Sequence, residues 1–524
     1  MHWADKIADG IIAGSPDKEE YVCAAGISPS GSVHIGNFRD IVTSYFVCLA
    51  LRKKGRNARL LFSWDEYDRF RKVPANVSED FGYYIGRAYT DVPDPLECCD
   101  SYADHFEQEF EKALDTFGIE ADFRYQTAEY RSGRYAGPII TAIEKRREIF
   151  DILDTFRTQD STDEEREEYY PVSIYCPYCG RDNTKITRYN DDGHIAEYTC
   201  KCGHSGQFCF DTDFDCKLNW KIDWPMRWMA EGVDFEPGGK DHASPAGSYQ
   251  TSKIIAEKIF GIKPPVFQGY EFIGIKGSAG KMSGSTGINL TPGELFKVYQ
   301  PEIILWLYSK TDPMRAFDFC FDEGILRQYF EFDKSYTAYK EGKADELTAD
   351  IIAYSLIPGR EIKTVPMQQL VSFGSIVDFS PALLEAIFAK IGAAYTAADF
   401  EERVDLAKYW LENCSPESID KLRDGFDSEY YSSLTTQEKQ ELVALREYIA
   451  QNEYTMDELQ TFLYAVPSQV RGEIPDAKQL KQIQAAFFRN VYKMLIAKEK
   501  GPRLYLFLFA LEKGQYLNLL PKEM

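Results

Sequence analysis

A chain of 524 residues has length for roughly two to four domains, each with its own core. A 44% hydrophobic and 14% aromatic content excludes wholesale disorder, and no run of about 18 apolar residues is present to form a transmembrane helix. With 60 Lys and Arg against 83 Asp and Glu, the formal charge of -23 argues against indiscriminate polyanion binding but leaves room for a nucleic acid held on a local basic face.

The N-terminus, Met1-His2-Trp3-Ala4-Asp5-Lys6, has no basic region leading into an apolar core. No secretory signal is expected, and the expected location is the cytoplasm. Tyr21 to Gly26 (YVCAAG) predicts a short buried strand, followed by a loop rich in Ser, Pro and Gly from Ile27 to Ser32. His34-Ile35-Gly36-Asn37 then opens an apolar-periodic run, Phe38 to Leu51, that predicts a helix, and Ala58 to Trp64 (ARLLFSW) predicts a second buried strand. Strand, phosphate-sized loop, helix and strand make the first unit of a parallel α/β sheet. Basic clusters at Arg52-Lys53-Lys54, Arg69-Phe70-Arg71-Lys72 and Lys145-Arg146-Arg147 read as solvated helix faces.

Between about Pro93 and Asp215 the character changes to cysteines, Gly turns and charge clusters, with helical stretches at 101–117 and 138–156. This segment reads as an insertion in the α/β domain. The stretch Asp160 to Glu168 (DSTDEEREE) reads as solvated surface. The apolar pattern resumes near Lys217, strand-like alternation runs from Pro264 to Ile275, and a Gly-rich stretch follows from Gly277 to Gly287. Beyond about residue 288 the pattern is mostly helical, including an amphipathic helix at 477–498 closed by Gly501-Pro502.

Two motifs carry nucleotide chemistry. Ser28-Pro29-Ser30-Gly31-Ser32-Val33-His34-Ile35-Gly36-Asn37 follows a strand and opens a helix. Its small residues admit a bulky anion, and the helix start offers N–H groups and positive partial charge. His34 adds a ring donor and Gly36 permits close approach of an adenine or ribose. The pattern suits stabilisation of charge on an α-phosphate in nucleotidyl transfer. Gly280-Lys281-Met282-Ser283-Gly284-Ser285-Thr286-Gly287 is a Gly/Ser loop with one Lys that can close over a triphosphate. It is not a P-loop, since Met282 stands where Ser or Thr is required.

Eight of the 12 cysteines lie between Cys98 and Cys216, which in a chain with no export signal points to metal sites before disulfides. Cys176-Pro177-Tyr178-Cys179-Gly180 has zinc-knuckle spacing, and Cys200, Cys202 and His204 follow. These are five candidate ligands for four positions, with Cys202 and His204 competing for the last. Asp94, Cys98, Cys99 and His105 can complete a second tetrahedral set. With four protein ligands each, both sites would be structural.

His34-Ile35-Gly36-Asn37 resembles the HIGH signature of class I aminoacyl-tRNA synthetases, and Lys281-Met282-Ser283-Gly284-Ser285 resembles their KMSKS loop. Asn37 replaces the second His and Gly284 the second Lys, which places more of the load on His34 and Lys281. The stretches AAGISPSGSVHIGNFRD (24–40), FSWDEYDRFRKVP (62–74), EPGGKDHASPAGSY (236–249) and GPRLYLFLFALEKG (501–514) resemble the class I type of lysyl-tRNA synthetase, essentially along the whole chain.

The resemblance implies a Rossmann-type parallel-sheet α/β catalytic domain (1–93 and 216–287) interrupted by a zinc-bearing connective insertion (94–215). A stem-contact module (288–355) and a mainly α-helical anticodon-binding region (356–524) would follow. The implied activity is lysine–tRNA ligation, in which L-lysine and ATP give lysyl-adenylate and tRNA-Lys accepts the lysine, with Mg2+ on the nucleotide and one or two structural Zn2+. Two alternatives are an RNA-binding synthetase paralogue and a small-molecule adenylate-forming nucleotidylyltransferase. Catalysis would fall to His34, Asn37 and Lys281. ATP would contact these and Pro29, Gly31, Gly36, Met282, Ser283 and Ser285. Gly26, Ser28, Trp220, His242 and Tyr270 would bind lysine, with Asp65 and Asp241 as acidic candidates for its ammonium. The resemblance also favours zinc at the Asp94 cluster.

Overall fold

The computed structural model describes residues 1–523 apart from 75–76, 158–160, 246, 277–289 and 473–475. They divide into two compact units, one of Met1–Phe296, Pro301–Phe319 and Ala338–Arg360, the other of Lys297–Gln300, Cys320–Thr337 and Glu361–Met524.

The first unit is built on a five-stranded parallel sheet. Its first strands are β1 (Tyr21–Ile27), β2 (Ala58–Trp64) and β3 (Asp122–Tyr125). β1 and β2 are near-continuous apolar runs, as expected of parallel strands covered on both faces. β1 pairs with β2 along its whole length, Tyr21 opposite Ala58 through Ile27 opposite Trp64. Two strands from later in the chain, β9 (Phe235–Gly239) and β10 (Val266–Tyr270), complete the sheet in the order β10-β9-β1-β2-β3. The strand order reverses between β1 and β9, which makes the carboxyl ends of these two strands a topological switch point and the expected place for a ligand.

Helix α1 (Trp3–Gly14) precedes β1, and α2 (Ile35–Lys53) crosses from β1 to β2, buried on most of its circumference. Arg39 of α2 is buried and donates to the carbonyls of Glu271, Asp312 and Arg315 at 2.7, 3.1 and 3.0 Å. The basic cluster at the end of α2 is exposed at Arg52 and Lys53, as expected of a solvated face, and also carries ion pairs. Arg52 and Lys53 lie in its last turn, where the helix dipole favours cations, and Lys53 bridges Asp5 and Asp350 at 3.2 and 2.6 Å.

After helix α3 (Tyr102–Thr116) and β3, the predicted helix over 138–156 is two helices, Ala136–Glu144 and Arg146–Asp154, broken at Lys145. The described acidic stretch forms a short exposed helix, Asp163–Glu168, started by a Thr162–Glu165 capping box. The strands between residues 172 and 218 are antiparallel. β4 (Val172–Ile174) pairs with β8 (Cys216–Leu218), and β5 (Thr184–Asn190), β6 (Ile195–Cys200) and β7 (Ser205–Cys209) form a meander. Helix α4 (Trp220–Glu231) returns the chain to the sheet, and Gly232 ends it in the left-handed region (φ 63) before β9. The alternation over 264–275 resolves into β10 and β11 (Ile273–Ile275), which belong to different sheets. β11 pairs in parallel with β12 (Phe317–Phe319), a strand too short to interrupt the helical pattern of the sequence.

The second unit is helical. Thr396, Thr435 and Thr455 start three of its helices with capping boxes. The predicted amphipathic helix spans Ala477–Ile496 and ends at Ala497 in the left-handed region (φ 61). Buried Arg403 ties the unit together, donating to both oxygens of Asp333 at 2.6 and 2.8 Å, to the Val365 carbonyl at 2.6 Å and to Gln300 at 2.7 Å. No helix of the described residues is long and apolar enough to cross a membrane.

Candidate active site and metal centres

A cavity of about 610 Å³ opens at the switch point. The end of β1 supplies Gly26 and the turn after it Ser28, the turn after β2 supplies Asp65 and Asp68, β9 supplies Glu236 to Gly239, β10 supplies Tyr270, and α4 supplies Trp220 and Trp224. Of the expected lysine-contacting residues, Gly26, Ser28, Trp220, His242 and Tyr270 all line it. Asp241 does not; it is exposed on the short helix Lys240–Ala243.

Gly31 and Asn37 also line the cavity, whereas Pro29, His34 and Gly36 do not. The start of α2 departs from expectation in a specific way. Its backbone N–H groups are already occupied: Ile35 donates to the Leu290 carbonyl at 2.9 Å, and Gly36 and Asn37 donate to His34 Nδ1 at 3.0 and 3.2 Å. His34 is therefore the N-cap of its own helix. Since Nδ1 accepts, the neutral ring carries its proton on Nε2. The role of Gly36 follows from the same contact, because a Cβ there would lie 2.9 Å from the His34 ring. It admits the imidazole, where the sequence suggested room for an adenine or ribose. Lys281, Met282, Ser283 and Ser285 lie outside the described residues. The flanks of their loop are described: Lys276 N–H donates to the Phe319 carbonyl at 3.0 Å, and Leu290 sits on the first N–H of α2.

Beneath the cavity lies a buried ionic network that no sequence motif announced. Arg227 of α4 bonds Asp65 through one nitrogen and Asp223 through the other. Lys217 bridges Asp223 and Asp68, each at 2.9 Å, and the Tyr130 hydroxyl donates to Asp223. Burial drives the Asp223 carboxyl upward, but Arg227 and Lys217 outweigh it and hold it below its ordinary value. Asp65, the acidic candidate from the sequence, is thus already committed to an arginine.

Two further carboxylates on the cavity wall have no such partner. Asp40 accepts the Gly26 N–H at 3.3 Å and the Tyr270 hydroxyl. Glu236 accepts the Trp228 indole N–H at 2.6 Å. Both are buried, and neither takes part in an ion pair within 4 Å among the described residues. Burial, and then the charge of Glu236, push the Asp40 carboxyl well above its usual range. Burial pushes Glu236 up to about 7. The sequence carried one signal for Asp40: a carboxylate three residues after Asn37 in an apolar helix.

The cysteine-rich segments converge in two places. The Sγ atoms of Cys176, Cys179, Cys200 and Cys202 lie within 4.8 Å of one another. The Cys176–Cys202 and Cys179–Cys200 separations are 3.8 and 3.7 Å, and a tetrahedron with Zn–S bonds of about 2.3 Å has edges of about 3.8 Å. The knuckle turn closes by a Gly180 N–H to Cys176 carbonyl bond of 2.7 Å, with Gly180 in the left-handed region (φ 70). The competition for the fourth position resolves geometrically in favour of Cys202. The His204 ring stacks against Tyr178 at 6.2 Å and 13°, and its contribution is the backbone N–H that holds the Cys202 thiol down at about 7.

In the second cluster Asp94, Cys98, Cys99 and His105 also fall within 4.8 Å. Cys98 Sγ lies 3.2 Å from His105 Nδ1 and 3.8 Å from Cys99 Sγ, and His105 Nδ1 lies 3.3 Å from Asp94. A left-handed Glu97 (φ 56) folds the turn, and the N–H groups of Leu96, Cys98 and Cys99 all donate to Asp94. Both donor sets suit Zn2+ in type and spacing.

A family model described as tRNA synthetases class I (K) matches residues 1–358. A lysine–tRNA ligase of Pyrococcus horikoshii is 35% identical over 100% of both chains. One of Thermococcus kodakarensis is 36% identical over 98% of each, and one of Borreliella burgdorferi is 36% identical over 96% of this chain and 95% of its own. With a parallel sheet in switch-point order and a cavity between β1 and β9, this chain belongs to the class I (K) tRNA synthetases.

Proposed function

We propose that the chain activates L-lysine with ATP and transfers it to the 3′ end of tRNA-Lys. The observation that carries this reading is a convergence: five expected lysine-contacting residues meet in one cavity, beside the helix that starts at His34 and the Leu290 flank of the Lys281 loop. Relatives matched over the full length are lysine–tRNA ligases.

In the first step an oxygen of the lysine carboxylate attacks the α-phosphorus of ATP, forming a new P–O bond as the bond to the bridging oxygen breaks and pyrophosphate leaves. No general base is needed, because the carboxylate is ionised at neutral pH. Catalysis is positioning and electrostatics. Asn37 offers its side chain from the cavity wall, and His34 offers its Nε2 proton to phosphate oxygens. Lys281 would hold the departing pyrophosphate. Mg2+ carried with the nucleotide supplies neutralising charge. In the second step a hydroxyl of the terminal tRNA adenosine attacks the lysyl carbonyl carbon and AMP departs.

In this reading, 1–93 and 216–287 form the catalytic domain, joined by β3, which pairs with β2 in its sheet; the rest of 94–215 is the connective insertion, 288–355 the stem-contact module and 356–524 the anticodon-binding region. Cys176, Cys179, Cys200 and Cys202 would hold one Zn2+ and Asp94, Cys98, Cys99 and His105 a second. Zinc there supplies cross-links that fix the insertion, with no ligand position left for substrate.

Lysine-dependent ATP–pyrophosphate exchange, with and without tRNA and against a panel of amino acids, tests the reading. Exchange with lysine alone of the panel supports it; exchange only with another amino acid overturns the substrate. Lys281→Ala should lower adenylate formation by roughly 100- to 1,000-fold with ATP affinity little changed. Metal analysis should find two zinc atoms per chain, and Cys176→Ser should remove one of them and expose the 172–218 segment to protease.

A further inference from the structure

We infer that Asp40 and Glu236 together receive the side-chain ammonium of the bound amino acid, and so select for a cationic substrate. The inference rests on the proposed lysine reading and assigns its specificity. Charge accounting around the cavity supports it. Five carboxylates gather there: Asp40, Asp65, Asp68, Asp223 and Glu236. Two buried cations answer them, Lys217 and Arg227, and both are spent on Asp65, Asp68 and Asp223. At the rim, exposed Arg71 reaches Asp68 at 3.9 Å, and neither it nor exposed Lys72, which also lines the cavity, pairs with Asp40 or Glu236 among the described residues. Among the described residues Asp40 and Glu236 are left with neutral donors alone: a backbone N–H, a tyrosine hydroxyl and the Trp228 indole N–H.

A buried anion held only by neutral donors is costly unless a cation arrives with the ligand. The surroundings define that cation. Trp220 and Trp224 stack 5.1 Å apart at 19° on the cavity wall, and the Trp228 indole donates to Glu236 at 2.6 Å. Such a wall suits an aliphatic stem ending in an ammonium, which the ring faces attract and a carboxylate pair completes. Asp40 lies one helical turn after Asn37, so the pair sits within a side chain's reach of the start of α2, where the reacting phosphate is expected.

The test uses the full-length enzyme with Glu236→Gln and Asp40→Asn. Each variant keeps an oxygen for the Trp228 or Gly26 N–H and removes only the charge. In ATP–pyrophosphate exchange the KM for lysine should rise by about 100-fold or more in each, with the KM for ATP within about threefold of wild type. L-norleucine, which keeps the stem but lacks the ammonium, should inhibit wild type and variants equally weakly. Both variants should melt no lower than wild type, which separates lost recognition from lost folding; should one fail to fold, the other reads the same pair. A lysine KM within about threefold of wild type in a folded variant overturns the inference while leaving the lysine reading intact. If the wild-type enzyme gives no exchange with lysine, it is the lysine reading that fails, and the inference with it.

Discussion

Two groups of carboxylates face one cavity, and the chain treats them in opposite ways. Asp65, Asp68 and Asp223 are met by Lys217 and Arg227, cations contributed by β8 and by α4. Asp40 and Glu236 are also buried and, among the described residues, receive only neutral donors. The first group is a closed ionic framework that fixes α4 against the turn after β2. The second is an unbalanced pair whose balance has to come from the substrate. The contrast teaches that burial alone does not mark a functional carboxylate. What marks it is burial against the cavity with the local cations already spent.

The largest effect should come from opening the closed group. Arg227→Met leaves Asp65 and Asp223 without their shared partner, and denaturant unfolding should find a loss of about 3–5 kcal/mol. An effect of opposite sign is expected in the other group. Glu236 has a folded value of about 7 against an ordinary 4.5, so its contribution is fully present below the unfolded value and is lost as pH rises through 7. Burial raises it first and the charge of Asp65 adds to that, while the Trp228 indole donor and Arg227 oppose it. Glu236→Gln should therefore match wild type near pH 4.5 and exceed it by on the order of 2–3 kcal/mol at pH 8, read from paired melts across that range. A protein gaining stability while losing lysine recognition is the expected signature of a site kept for function. The smallest effect should follow Tyr270→Phe, which removes one donor to Asp40 and should cost about 1 kcal/mol of lysine binding, or a several-fold rise in KM. Equal destabilisation by Arg227→Met and Glu236→Gln at pH 8 would erase the distinction between the groups.

Much of the framework was legible in the residues. β1 and β2 are apolar runs bounded by turn residues, and the small-residue loop before His34 marks the strand-to-helix turn of a nucleotide fold. The clustering of the candidate ligands was legible by spacing, except that spacing cannot rank Cys202 against His204. Only the turn does so, by aiming one thiol inward and the imidazole toward Tyr178. The break at Lys145 escaped because apolar periodicity continues on both sides of it. Glu236 escaped because a carboxylate beside Pro237 and two glycines looks like loop sequence until β9 is seen to lie next to β1. Arg227 and Asp223 are four residues apart in a helix rich in tryptophan, and read as ordinary polar positions until the fold buries them.

The order of the sheet also governs how the molecule comes into being. The Val22 N–H on β1 bonds Asp234, 212 residues later, so one edge of β1 stays open until the whole insertion has been made. The entropy of closing so long a loop grows only as the logarithm of its length, and the locally paired meander of β5, β6 and β7 shortens the loop that must be closed. During synthesis, the meander can fold while β1 waits as an unpaired and aggregation-prone edge. The crevice between β1 and β9 is then completed late, and the folding of the intervening segment becomes a timer for assembly of a cavity that its cysteine clusters do not line.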